Sequence, residues 1–488
     1  MLPITSTLDV LIVGAGPVGL MLAGQLQRRN IHYRLIEGRG QRQPRSKAGA
    51  LSPRTLEIFD HLGVLDEVID LGLFFRAVNT VVAGQTKARV ETCSQGGYAA
   101  LSLSQFDCEE ILEADLRRRG GRIERATRLT SLRNTFHFAE AHLEGPAGVE
   151  KLICRWVVGC DGSASLARKS LELDGDVDSP VQNFLLGELE LDGLQPHGEV
   201  WNLISSSDDT PVAELTPKAG GHYHLSLAVP DEVDPSDLDP LELVRQVAGP
   251  LLPPGAVLQH LRDPLLCCIR PGLLPSYRHG RVLLAGDAAC LQSPLGGRCM
   301  SEGLQDAFNL GWKLATVARG EALEGLLATY QEERRNFLDH YRGGPLALGM
   351  VPPGDSGAQP GDRMDRVGGL ERPYVRRQAR LIDLFRMGQF HLVGYGGDWS
   401  ALADLAERVG HHFGSELRAW AVLPANSQGA EVPEQLSRLY DRQGCAQATW
   451  GPGPGAILVR PDGHVGWRGR PQADEDLSRF LSLVSLNY

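Results

Sequence analysis

The segment Gly14-Ala15-Gly16-Pro17-Val18-Gly19 constrains the fold of this chain more than any other. An apolar run, Leu8 to Val13, precedes it. A stretch with apolar residues at Val18, Met21, Leu22 and Leu26 follows, from Pro17 to Arg29. Strand, glycine turn and helix in that order begin a parallel sheet. Gly14 permits the tight turn, Gly16 lets backbone N–H groups approach a diphosphate, and Gly19 lets helix and strand pack closely. The helix N-terminus faces the negative charge. A second short strand, Tyr33 to Ile36, ends at Glu37, where a carboxylate can accept hydrogen bonds from ribose hydroxyls. These residues predict a doubly wound α/β sheet that binds a dinucleotide, without choosing between NAD and FAD.

The remaining chain sets the bounds. Its 488 residues allow two to four domains at about 100–200 residues each. A net charge of −11 without a basic block argues against nucleic-acid binding. Apolar runs such as Val282-Leu283-Leu284-Ala285 fall far short of the roughly 20 residues that cross a bilayer, so no membrane association is expected. The N-terminus shows no secretory signal pattern. Nine cysteines without a C-x-x-C point to neither a disulfide framework nor a zinc site, and to a reducing cytoplasm. His222, His224, His411 and His412 lack the companions of a metal site, so no metal is expected.

Ser52-Pro53 opens a predicted helix that Gly63 ends, and residues 102–118 read as another. Residues 121–160 break into short strands. Between 180 and 275, Pro and Gly punctuate alternating runs such as Tyr223-His224-Leu225-Ser226-Leu227, which predicts antiparallel strands interrupted by one helix, Leu241 to Ala248. The alternation puts His222 and His224 on one sheet face. A buried strand and turn return at Gly280 to Asp287, and a helix is predicted over Ser301 to Ala318. Residues 352–373 read as a linker. Residues 374–488 read as a separate small α/β unit with a hairpin around Arg460-Pro461-Asp462-Gly463.

Two later motifs join the first. Asp161-Gly162 follows the strand Trp156 to Gly159, with Arg168 beyond it. Gly286-Asp287 precedes Pro294-Leu295-Gly296-Gly297 and a helix. With Gly14-x-Gly16-x-x-Gly19, in this order, they resemble the motifs of the FAD-dependent aromatic hydroxylases, the group A flavoprotein monooxygenases of the para-hydroxybenzoate hydroxylase fold. Arg45 in Pro44-Arg45-Ser46, the segment Ser52 to Glu57, and Gln105 are similar to family positions near FAD. The run Leu458 to Trp467 resembles the thioredoxin-like tail of bacterial hydroxylases acting on aromatic polyketides and related antibiotics.

That resemblance implies an α/β chain with a Rossmann-like FAD-binding domain, a middle antiparallel-sheet substrate domain and a C-terminal thioredoxin-like domain. The FAD-binding parts would be 1–78, 101–175 and 278–351, the substrate parts 79–100 and 176–277, then the 352–373 linker and the tail 374–488. It implies FAD held by Gly14, Gly16, Pro17, Gly19, Glu37, Arg45, Gln105, Asp161, Gly286 and Asp287. Pro294, Gly297, Arg298 and Met300 would meet the pyrimidine edge of the ring. It implies NADPH or NADH as co-substrate, O2, and a small aromatic substrate, polycyclic by resemblance, oxygenated through a flavin hydroperoxide. The chain would be a monomer or homodimer. No catalytic base is fixed; His222, Tyr223 and His224 are the candidates. Baeyer–Villiger-type oxygenation, oxidation without oxygen insertion, and a low-turnover FAD-containing binding protein stay open. The chain departs from the family at Cys290, where His is usual. It also departs at Arg298-Cys299-Met300-Ser301, where Gln-Gly-Met-Asn is usual, and at Glu302, where a small polar residue is common.

Overall fold

The strand Ile4–Val13 carries four consecutive apolar side chains, Val10 to Val13, that are almost fully buried. It lies between two parallel partners, Tyr33–Glu37 and Gly148–Gly159, and Gly148–Gly159 also pairs in parallel with Val282–Leu284. Strands covered on both faces read as unbroken apolar runs, as Val10–Val13 and Val282–Leu284 do. Ala139–Gly145 and Arg128–Asn134 extend the sheet antiparallel from Gly148–Gly159. The helices Pro17–Arg28 and Gln105–Arg118 pack together, with Arg28 donating to Asp115 at 2.7 Å. This computed structural model describes residues 4–486 apart from 43–48, 93–97, 174–179, 195–197, 205–210, 232, 234–238, 292, 297–298, 341–359, 362, 365–366, 374–377, 386–387, 426, 428–431, 452 and 473–474.

Helix ends differ slightly from the sequence expectation. The helix predicted from residue 102 starts at Gln105, because Leu101–Ser102 pairs as a short strand and the Ser104 hydroxyl accepts the Asp107 N–H. An N-cap of that kind contributes about 1 kcal/mol. The helix predicted from Ser301 starts two residues earlier and spans Cys299–Ala318.

A second sheet runs in the order Val257–Ile269, Gln182–Asp192, His222–Val229, Pro211–Pro217, Val200–Ile204, Ala77–Val82, Gln85–Glu91. Neighbours are antiparallel as expected, with one exception. Val200–Ile204 lies parallel to Ala77–Val82, which enters from a remote part of the chain. One face buries Leu185, Trp201, Leu215, Tyr223, Leu225 and Leu227 with Leu243 and Val244 of the helix Pro240–Val247. The strand period of two puts Asn202, Glu214, Thr216, His224 and Ser226 on the opposite face, and these too are buried.

The chain divides into two compact units. The first is Met1–Phe59, Val64–Gly311 and Tyr330–Met350, and both sheets above belong to it. The second is Asp60–Gly63, Trp312–Thr329 and Val351–Tyr488. In the second, Phe390–Tyr395, the helix Trp399–Phe413 and Leu417–Pro424 form a βαβ unit, followed by the antiparallel pair Gly455–Val459 and Val465–Gly469 and the helix Glu475–Val484. This is a thioredoxin-like order. Leu370–Glu371, inside the segment expected to be a linker, is instead a strand of this sheet, paired between Gln378–Ala379 and Ser437–Asp441. The expected hairpin forms, and its turn also holds a buried ion cluster. Asp462, 1% exposed, accepts from Arg460 at 2.8 Å and from the Trp312 indole at 3.0 Å. Burial alone would push its carboxyl up, but Arg460 and His464 hold it well below the usual range.

Candidate cofactor and substrate site

Cross-strand register sets Ile36, Val13, Gly159 and Leu284 in one row across four adjacent parallel strands. Each motif leaves its strand at that row: Glu37 after Ile36, Gly14 after Val13, Asp161 two residues after Gly159, Gly286 two residues after Leu284. In an open α/β sheet this carboxyl edge is where ligands bind.

The three glycines of the first motif are not equivalent. Gly14 has φ +100°, and a Cβ there would strike the Cys160 carbonyl. A Cβ on Gly19 would collide with the Gly14 carbonyl. Both glycines are thus required by the protein itself. Gly16 is not, since the nearest atom to a Cβ there is Glu109 Oε1, 4.0 Å away. Its bareness suits a ligand lying against the backbone. The helix starting at Pro17 has no side-chain cap, so its first amides are free to meet an anion. Glu37 steadies the turn by accepting the Ala15 N–H at 2.9 Å. Gln105 donates to Glu109 at 2.8 Å, which brings it beside the same turn. Burial pushes the Glu109 carboxyl up, against the pull of Gln105 and Arg42. These features fit the diphosphate and ribose of a bound FAD.

Asp161 and Asp287 are joined by Arg168. The Asp161 carboxylate accepts the Leu166 and Ala167 N–H groups at 2.7 and 3.1 Å and so fixes the short helix Leu166–Lys169. Arg168 on that helix donates to the Asp287 and Ala288 carbonyls, both at 3.3 Å. Behind Gly286 lies a buried charge network that sequence reading missed. Asp306 accepts the Gly286 N–H at 3.2 Å and Arg334 Nε at 2.7 Å, and Arg334 also meets Glu302 at 2.7 Å. Glu302, a departure from the family pattern, therefore has a structural partner. Burial pushes the Cys299 thiol up and keeps it protonated, as a packing residue would be; it contacts the Ser293 carbonyl.

The turn at Pro294 to Gly296 reaches the second sheet. The Gly296 N–H donates to Glu214 Oε2 at 2.8 Å, and Thr216 donates to the same carboxylate's other oxygen at 3.1 Å. Met300 is buried at the start of the following helix. The polar face of the second sheet is therefore the one turned to this motif. His222 and His224 share it, as alternation predicted. His224 is buried beside Gly49, and burial, with Lys218 nearby, pushes it down to about 4. His222 is only half-buried. Tyr223 lies on the apolar face, among the residues packed on Pro240–Val247. Arg45, Gly297 and Arg298 lie outside the described residues. Glu214 and Asn202 were missed in the sequence; Ala213-Glu214-Leu215-Thr216 carries the same alternation as the histidine strand and would have revealed the first. Among the described residues no group of three potential metal ligands occurs, and no helix is long and apolar enough to cross a membrane.

Residues 7–341 match the FAD binding domain family, and residues 358–484 match the aromatic-ring hydroxylase C-terminal family. The chain is 31% identical to aklavinone 12-hydroxylase of Streptomyces purpurascens, with 98% of each chain covered. It is 28% identical to rifampicin monooxygenase of Streptomyces venezuelae, with 96% of each covered. Its fold resembles that of aklavinone-11 hydroxylase in ternary complex with FAD and aklavinone, at a TM-score of 0.78 and 27% identity, covering 98% of this chain and 99% of that one. With its glycine motifs gathered at one sheet edge and both family domains present along its length, the chain belongs to the FAD-dependent aromatic-ring hydroxylases and is a flavin monooxygenase.

Proposed function

We propose that this enzyme consumes NADPH or NADH and O2 to insert one oxygen atom into a polycyclic, polyketide-like aromatic compound. The observation that carries the reading is the single row of strand ends from which Glu37, Gly14, Asp161 and Gly286 emerge, with the polar face of the second sheet tied to the next turn through Glu214. Relatives named for aklavinone and rifampicin support the substrate class.

FAD, when bound, supplies the hydride acceptor and the oxygen-activating ring. The chain does the rest. Amides of the Gly14, Gly16 and Gly19 turn and the helix after Pro17 would neutralise the diphosphate, and Glu37 would accept ribose hydroxyls. Asp287 would bind the ribityl chain, with Arg45, Gln105 and Asp161 as further holding residues. By resemblance Pro294, Gly297, Arg298 and Met300 would meet the ring's pyrimidine edge, where the N-terminus of the helix Cys299–Ala318 would favour negative charge. Neutral His224, on the buried polar face of the second sheet, would accept a phenolic proton, and burial of that face would keep water from the substrate. In this proposal the FAD-binding parts are 1–78, 101–175 and 278–351, the substrate parts 79–100 and 176–277, and the tail 374–488, and a monomer or homodimer serves it equally.

Purified protein should be yellow and should oxidise NADPH or NADH faster when certain members of an aromatic panel are added. The product should carry one added oxygen. A colourless preparation that FAD cannot reconstitute would overturn the reading; a product that has lost two hydrogens would replace oxygenation with simple oxidation. Asp287→Ala should weaken FAD retention by about 1.5–3 kcal/mol, the value of a charge-assisted hydrogen bond. Full FAD occupancy through dilution would remove Asp287 from the site.

A further inference from the structure

Most buried polar groups in a folded protein have hydrogen-bond partners. On the polar face of the second sheet, among the described residues, two side chains do not. Asn202 is fully buried, and neither its amide oxygen nor its amide nitrogen has a partner among the described residues. His224 is 6% exposed, and its Nε2 is likewise unpartnered. Leaving such atoms dry and unpaired is unfavourable unless something else pairs them.

Their placement is defined by register. Asn202 stands opposite Glu214 on the next strand, and Glu214 stands opposite Ser226 on the strand after that. His224 lies two residues from Ser226 and opposite Thr216, so Asn202 and His224 sit on one face, two strands apart and offset by two residues. Between them, Glu214 grips the turn at Gly296. At about 4.8 Å between strands and about 3.4 Å per residue, their Cα atoms are about 12 Å apart.

We propose that Asn202 and His224 form a two-point hydrogen-bonding site for oxygen substituents at separate places on one fused-ring substrate, with Glu214 as the positioning residue that holds this face against the turn at Gly296. This rests on the monooxygenase reading above and specifies the part of the substrate that the sheet reads. Asn202 offers both a donor and an acceptor, so it suits either a ring carbonyl or a hydroxyl. His224 Nε2 accepts a phenolic O–H in one tautomer and donates to a carbonyl in the other. The spread favours a rigid, several-ring compound over a single ring with neighbouring hydroxyls.

The test uses the oxidised, FAD-loaded protein without NADPH or NADH, so that binding is read apart from turnover. Calorimetry compares 1,8-dihydroxyanthraquinone, anthraquinol-free 9,10-dihydroanthracene, which has no oxygen, and catechol. Wild type should bind the dihydroxyquinone at least tenfold more tightly than either other compound. Asn202→Leu and His224→Phe should each reduce that preference about tenfold, with FAD occupancy by visible spectrum unchanged; His224→Gln should keep more of it than His224→Phe. Preference undiminished in both variants overturns the proposal. So does a wild type that holds FAD yet prefers neither quinone nor size. If both variants lose the folded sheet by circular dichroism, the two side chains serve the fold and the proposal also falls. A wild type that cannot hold FAD sinks the underlying reading instead.

Discussion

At the carboxyl edge of the first sheet, buried charge is answered by the protein. Arg334 is held by Asp306 and Glu302. On the polar face of the second sheet, Glu214 is answered by the Gly296 and Thr216 donors, but among the described residues Asn202 and His224 keep atoms without partners. Burial is equal and pairing is not. Where the partners are internal, the polar group fixes the backbone from which a cofactor cradle is built. Where they are missing, the group is available to a ligand, and its removal should cost binding more than folding.

The largest effect should come from breaking an internal pair. Asp306→Ala leaves the Arg334 guanidinium short of a partner and frees the Gly286 N–H, and should destabilise the first unit by about 3–5 kcal/mol in urea unfolding. A loss below about 1 kcal/mol would mean that the network contributes little beyond packing.

Next is the pH response of the other region. Burial pushes His224 down to about 4, against about 6.5 in an unfolded chain. Between these values the unfolded state binds a proton that the folded state refuses. Stability from this group is therefore complete above pH of about 6.5 and is lost as pH falls toward about 4, by up to about 3 kcal/mol. His224→Phe should flatten that part of the stability profile. An unchanged slope between the two pH values would show that His224 is not buried neutral.

The smallest contrast lies within one motif. Gly19→Ala should destabilise the protein by about 1–3 kcal/mol through overpacking against the Gly14 carbonyl. Gly16→Ala should leave the melting temperature without FAD nearly unchanged and reduce the stabilisation gained on adding FAD. Equal melting shifts for the two variants in the absence of FAD would erase the distinction between a packing glycine and a ligand glycine.

The sequence was informative where chemistry is local. Gly14, Gly16, Gly19 and Glu37 could be read in place because a tight turn, a bare backbone and a strand-end carboxylate are properties of neighbouring residues. The helix Pro240–Val247 and the hairpin at Pro461-Asp462-Gly463 were legible for the same reason. Other features were not. The link from Arg168 to Asp287 spans more than a hundred residues, as does the strand pairing that sets Ala77–Val82 beside Val200–Ile204. Nothing in the vicinity of Asp462 announces that Trp312 donates to it.

By itself the sequence determined the cofactor turn, the strand and helix periods and the common face of His222 and His224, because each depends on spacing along the chain. Only the tertiary structure decided that this face, rather than that of Tyr223, turns toward Gly296, and that Asn202 and Glu214 join it. A period of two assigns residues to opposite sides of a strand but is silent on which side meets which neighbour. That choice follows from long-range register and from which face the helix Pro240–Val247 covers.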